Sequence, residues 1–219
     1  MNEIYFTEDE MSKTIEFANK IKNKHPYFAD KENKMRRTEN EVFLSVVRGK
    51  LAEIALYKHL KEKHKNSNFT ISELDFNVYK KGVCDDFDLK FNGFTISIKS
   101  SKPFSSCLLI ETEKYQLNEK GEAISIDGHS GNIPDFYAFV KVDLNLEDMN
   151  KTHANICGAI SHKSFWKHKK IVPRGTFINQ SNMYEYLVNN KPLNELSKSK
   201  GMPLLATNYG IHINMLKPI

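Results

Sequence analysis

The sequence predicts an α/β chain of mixed order, an α+β arrangement in which a central mixed β-sheet is flanked by helices. Three observations carry this. Two early segments, 7–24 and 40–64, repeat apolar residues near a period of 3.6. From residue 68 the pattern changes to short alternating runs. Asn92-Gly93 then marks a two-residue hairpin, because both turn positions need positive φ.

The elements follow in order. Thr7 is placed to cap a helix over 7–24, with Glu10 completing a capping box and Ile15, Ala18 and Ile21 forming its apolar stripe. Residues 25–40 are polar and read as irregular. The strongest helix is 40–64, where Val42, Phe43, Val46, Val47, Leu51, Ile54, Ala55 and Leu60 share the helical period. Strands are expected at 68–72, 74–79, 86–91, 93–100 and 106–112. Residues 135–144 and 154–160 read as two further strands, the first of them buried. Ser161 caps a short helix over 161–168, and 181–189 and 193–199 suit two more. The C-terminal LLATNYGIHINML suits a last strand. No repeat or low-complexity linker divides the chain, so 1–219 reads as one domain with its core at about 40–170.

Bulk properties narrow the function classes. A net charge of +5 permits a polyanionic partner without requiring one. No apolar run approaches the roughly 20 residues that span a bilayer, so no membrane role is expected. The start, MNEIYFTEDEM, is acidic and lacks a signal-peptide core. Cys84, Cys107 and Cys157 lie far apart with no CxxC, which suits a reducing cytoplasm without disulfides or a cysteine-rich zinc site. The histidines show no HxxxH spacing. There is no Walker motif and no GxGxxG, so no nucleotide cofactor is expected.

The chemistry concentrates in residues 88–99, DLKFNGFTISIK. Asp88 opens the first hairpin strand and Lys99 closes the second. Alternation places Ser97 and Lys99 on the face opposite Ile96 and Ile98. A carboxylate there can hold a divalent metal, and the ammonium beside it can orient a water or stabilise a pentavalent phosphorus transition state. Taken alone, Asp88 reads equally as a solvated strand-end acid beside Asp85 and Asp86, and Lys99 as a surface lysine. Their relative placement favours the site. Glu53, in RGKLAEIA on the strong helix, is a further carboxylate that could face the metal. Gly49 one turn earlier suggests a close approach of that helix to another backbone.

These motifs, Gly49-x-x-Ala52-Glu53, then Asp88-Leu-x-φ-Asn-Gly, then φ-x-φ-Lys99-Ser-Ser, together resemble the PD-(D/E)XK nuclease superfamily, most of all its small type II restriction endonucleases. The resemblance covers about residues 40–105, with similar patterning at 136–142 and 158–166. It implies a restriction-endonuclease-like sheet, Mg2+ dependence (Mn2+ can substitute) and hydrolysis of DNA phosphodiesters. By position, Asp88 corresponds to the motif Asp, Lys99 to the motif Lys and Glu53 to the helical Glu. The Ile98 carbonyl would be a further metal ligand.

One departure matters. The second motif acid should stand two residues before the lysine, where this chain has Ser97. A hydroxyl is a far poorer ligand than a carboxylate for a hard cation. Three readings stay open. The acid has migrated to Glu113 or Glu111, as in a subgroup with Ser-x-Lys followed by a later Glu. Glu53 serves instead. Or the site is degenerate and the protein only binds DNA. Pro134-Asp135, the only literal Pro-Asp, is too close to Val140-Lys141 to frame a hairpin, and FYAFV between them reads as core.

DNA contacts are expected from Ser100, Ser101 and Lys102 after the lysine, from Arg36 and Arg37 before the strong helix, and from the basic segment HKSFWKHKK through Lys163, Lys167, Lys169 or Lys170. That basic segment reads equally as a solvated helix with Phe165 and Trp166 packed inward. The whole is expected to be a homodimeric, sequence-specific DNA endonuclease, with the N-terminal helix and C-terminal segment serving recognition or dimerisation. A phage or repair nuclease that reads structure or ends, and a non-catalytic DNA-binding module, are the alternatives.

Overall fold

The computed structural model describes residues 3–24, 38–78, 87–112, 115–117, 123–125, 133–176, 180–193, 204 and 206–219. Strand β1 (Ile4–Tyr5) leads into helix α1 (Glu8–Lys24). The expected capping box is present: Glu10 N–H donates to Thr7 Oγ1 at 3.2 Å, and Thr7 N–H donates to the Glu10 carboxylate at 2.8 Å. Helix α2 (Glu39–His64) starts on a second capping box, Thr38 with Glu41, and ends in Lys61, Lys63 and His64, so both ends complement its dipole.

The hairpin of β2 (Leu89–Phe91) and β3 (Phe94–Ser101) turns through Asn92 at φ 49° and Gly93 at φ 82°, as Asn-Gly predicts. Strands β4 (Cys107–Glu111), β5 (Tyr115–Leu117) and β6 (Ala123–Ser125) follow before the chain returns as β7 (Phe136–Asp143) and β8 (His153–Ser161). The central sheet is mixed, with order β1-β8-β7-β3-β2. Only β3 and β7 pair in parallel, which needs the long crossover that β4 to β6 occupy. Helix α3 (His162–His168), capped by Ser161 as expected, leads to β9 (Lys170–Val172), α4 (Gln180–Leu187) and β10 (Asn208–His212). Strands β4, β10 and β9 form a small antiparallel sheet.

Alternation along β7 sorts the two faces. Ala138, Val140 and Val142 pack with Ile96, Ile98 and the buried α2 residues Leu51, Ile54 and Ala55. Tyr137 and Phe139 face the other way, onto Leu108, Ile110, Ile211 and Phe165. Helices α1 and α2 thus cover one face of the sheet, and α3 with the small sheet covers the other. Beyond the small sheet, Cys107, Val172, Met183 and Leu187 join it to α4.

Two expectations need correcting. Residues 68–72 and 74–78 are not strands: Ile71 makes a single bridge to Phe91, flanked by Ser72 N–H to the Lys90 carbonyl at 2.9 Å. Downstream the Asp75 carboxylate accepts from Asn77 N–H at 2.7 Å, a local turn that competes with a ladder. Nor does Gly49 serve a close approach to the described residues, none of which a Cβ there would meet within 4 Å. Strands β1, β5, β6 and β9 were not anticipated. At two or three residues each, they are too short for periodicity to register. The expected helix over 193–199 and most of the loop 25–40 lie outside the described residues. No helix among the described residues is long and apolar enough to cross a membrane.

Candidate functional site

The hairpin register pairs Leu89 with Ile96, and one step further brings Asp88 opposite Ser97. Cross-strand partners share a face. Leu89 and Ile96 are buried on the α2 face, so Asp88, Ser97 and Lys99 take the opposite one. Asp88 Oδ2 accepts the Ile98 N–H at 2.5 Å and the Ser97 hydroxyl at 3.3 Å. Its Oδ1 accepts no hydrogen bond from the described residues. One carboxylate oxygen is therefore anchored to β3, and the other is left for a ligand. The N–H and C=O of one residue leave a strand on the same side. The Ile98 carbonyl therefore faces the Asp88 edge rather than β7. Asp88 Oδ1 and this carbonyl are hard oxygen donors of the kind a divalent cation takes, and Mg2+ needs few protein ligands because it keeps several waters. Lys99 is half-buried one alternation beyond Ser97.

Glu53 belongs to α2, which packs on the other side of the sheet. His64 lies against Phe91 with ring centroids 5.0 Å apart, which sets the end of α2 at the hairpin tip. Glu53 forms an ion pair with Lys50 at 2.5 Å, their side chains 15% and 8% exposed. The Lys50 ammonium also donates to the Asp75 carbonyl at 2.7 Å and lies over the rings of Phe17 and Phe76 at 4.8 and 5.3 Å. An ammonium buried this far needs such partners. Lys50 thereby holds the Glu53 carboxylate in place on the α2 side of the sheet.

The other candidate acids divide. Alternation puts Glu111 with Cys107 and Leu109, on the face of β4 turned toward α4 and away from the central sheet. Glu113 lies outside the described residues, as do Arg36 and Arg37. Asp135 has a structural task, since its Oδ2 accepts both the N–H and the hydroxyl of Thr95 at 2.8 Å, tying the start of β7 to β3. Among the described residues no group of three or more His, Cys, Asp and Glu converges as a metal cluster.

The expected DNA-contacting residues are not all in one place. Ser100 and Ser101 are half-buried at the end of β3, and exposed Lys102 follows them with its ammonium 5.9 Å from the Phe104 ring. Lys163 and Lys167 are exposed on α3, but α3 starts at the other end of the strands. Ser161 pairs with Phe136 and Phe136 with Ile96, about 16 Å along β3 from Ser101. Lys169 and Lys170 are engaged: Lys169 lies 4.2 Å from the Trp166 ring, and Lys170 donates to the Tyr186 carbonyl and the Asn190 side chain. Burial pushes both ammonium groups below their ordinary range. Phe165 is fully buried and Trp166 half-buried, so α3 serves packing first. An apolar cavity of about 680 Å3, lined by Leu60, Phe91, Phe94 and Phe136, lies at the hairpin tip and not at the Asp88 end.

Two residues of this neighbourhood were not singled out from the sequence. Lys50 looked like any helical lysine, and Lys141 entered only as the lysine of the dismissed Pro134-Asp135 pairing. Only the spacing of Lys50 three residues before Glu53 was a signal. Compared with known proteins, the chain matches no family model, no curated protein and no solved structure.

Proposed function

We propose that this chain is a Mg2+-dependent DNA endonuclease of the PD-(D/E)XK kind, acting as a homodimeric, sequence-specific type II restriction enzyme. The observation that carries the reading is the Asp88 carboxylate, fixed to β3 through Oδ2 with Oδ1 left open, on the same face as Lys99. Asp88 and the Ile98 carbonyl would hold the ion, with Glu53 or Glu113 as the second carboxylate. When bound, Mg2+ lowers the pKa of a water and screens the charge of the phosphodiester. Lys99 positions the attacking water and offsets negative charge developing on the phosphate oxygens. Ser97 holds Asp88 in the orientation this needs, which accounts for a hydroxyl where the resemblance expects an acid. Ser100, Ser101 and Lys102 continue from the strand toward the backbone being cut. One site cuts one strand, so two copies are required for a symmetric duplex target.

The test is incubation of the purified protein with long unmethylated duplex DNA and Mg2+, beside Lys99→Ala and an EDTA control. Discrete fragments that vanish in both controls are the expected result. A smear with the same dependence would move the reading to a phage or repair nuclease that recognises ends or structure. DNA binding without any cleavage would favour the second reading, a non-catalytic binding module, for which Ser97 is the supporting observation.

A further inference from the structure

The face of the central sheet that carries Lys99 holds a second half-buried cation, on the neighbouring strand. Ser101 follows Lys99 by two residues and shares its face. In the parallel ladder Ser101 pairs with Lys141 and Lys99 with Phe139, so Lys141 lies on that same face, one strand over and one alternation further along. It is next to Asn155 of β8, on the side away from Ser101. Its stem lies among packed neighbours, and its side chain is half-buried. Among the described residues no hydrogen bond or ion pair engages its ammonium group. The charge of Lys141 reaches Cys107, Cys157 and His212 among other groups. Burial holds both thiols neutral, Cys107 up to about 12, and keeps the imidazole below its ordinary range. Among the described residues no carboxylate forms an ion pair with Lys141, and Asp143, two residues on along the same face, is exposed. A half-buried ammonium without a counter-charge is costly unless a ligand brings one.

We propose that Lys141 is a backbone-phosphate contact of the nucleic-acid substrate, a positioning residue that holds a phosphate beside the one Lys99 acts on. The inference rests on the nuclease reading. Two cations on adjacent strands, about two strand steps apart along one face, suit successive phosphates better than a single ion. Such a contact carries no sequence information, so it acts on any duplex alike.

The experiment measures DNA binding by fluorescence anisotropy in EDTA over a salt series, for wild type, Lys141→Met and Lys141→Arg. Met keeps the packing stem and removes the charge. Exposed Lys151→Ala, which removes the same net charge at a surface pair with Asp148, is the control. Loss of one phosphate contact lowers the salt slope by about one and weakens binding roughly eightfold near 0.1 M salt. Lys141→Met is expected to show both changes equally on unrelated duplexes, Lys141→Arg to restore the slope, and Lys151→Ala to change neither. Wild type that binds DNA while Lys141→Met keeps its slope would overturn this inference alone. Wild type that neither binds nor cuts DNA would overturn it together with the nuclease reading.

Discussion

At the scale of single residues, one oxygen of Asp88 has a structural task. Oδ2 satisfies the Ile98 N–H where the β2 ladder has ended. Asp88→Ala leaves that buried donor unpaired and is expected to cost about 1–3 kcal/mol in chemical denaturation. Asp88→Asn retains an acceptor for Ile98, so it should cost less than the alanine variant, and on the nuclease proposal it should still abolish cleavage. Equal destabilisation by both substitutions would show that the Ile98 bond is not what Asp88 contributes. Lys50 and Glu53 make a second residue-scale case. Lys50→Met removes the ammonium from a largely buried ion pair, and stability is expected to fall by up to about 3 kcal/mol. The double variant Lys50→Met/Glu53→Leu removes both charges and should recover much of that stability, which denaturation midpoints of the three proteins will read directly. Asp88, Ser97 and Lys99 were legible in the sequence because a strand has a period of two and Asn-Gly sets the hairpin register. The partners of Lys50 were not, because Phe17, Asp75 and Phe76 come to it from distant parts of the chain.

At the scale of elements, legibility followed length. The two long helices, the hairpin and the β7–β8 pair carry enough residues for a period to show, and each forms where the pattern places it. The 68–78 segment also alternates, yet its polar side chains bond locally and no ladder forms. One element depends on a glycine. Between Phe139 and Val140 the register of β8 slips, so that Phe139 opposes Gly158 and Val140 opposes Ile156, leaving Cys157 as the extra residue. Gly158 stands at φ +131°, and a Cβ there would sit 2.5 Å from the Lys217 carbonyl oxygen. That carbonyl accepts from Ala159 N–H at 2.8 Å, which seats the C-terminal segment on β8. Gly158→Ala is therefore expected to lose about 2–4 kcal/mol through backbone strain and displacement of that segment. Hydrogen exchange should show the loss of protection at Ala159 and Lys217 first. Unchanged protection there would mean the bulge tolerates a side chain.

At the scale of the whole molecule, the second face is a layer that composition could not reveal. The sequence shows which residues are apolar, but not that Leu108, Ile110 and Ile211 from separated segments would meet Tyr137 and Phe165. Two histidines sit in and beside this layer. His162 packs on Tyr137, its Nδ1 3.0 Å from the Tyr137 hydroxyl. His212 is 6% exposed, stands edge-on to Tyr184 and accepts the Asn214 N–H at Nδ1. Burial lowers the pKa of both, and for His212 the nearby Lys141 charge adds to this. In the unfolded chain each would titrate near 6.5. The unfolded state therefore binds more protons in the window just below that value. The stability these neutral rings contribute is complete above about pH 6.5 and is lost as the pH falls toward their folded pKa values. The slope is at most about 1.4 kcal/mol per pH unit for each ring. It is smaller for half-buried His162, which solvent screens. Urea midpoints at pH 7.5, 6.5 and 5.5 are expected to fall over the last interval. His212→Gln, which cannot take a proton, should flatten that fall. In Lys141→Met the His212 share should shrink as well, because removing the neighbouring positive charge lets His212 titrate nearer its ordinary value. A fall of the same size in all three proteins would show that acid acts elsewhere than at these rings.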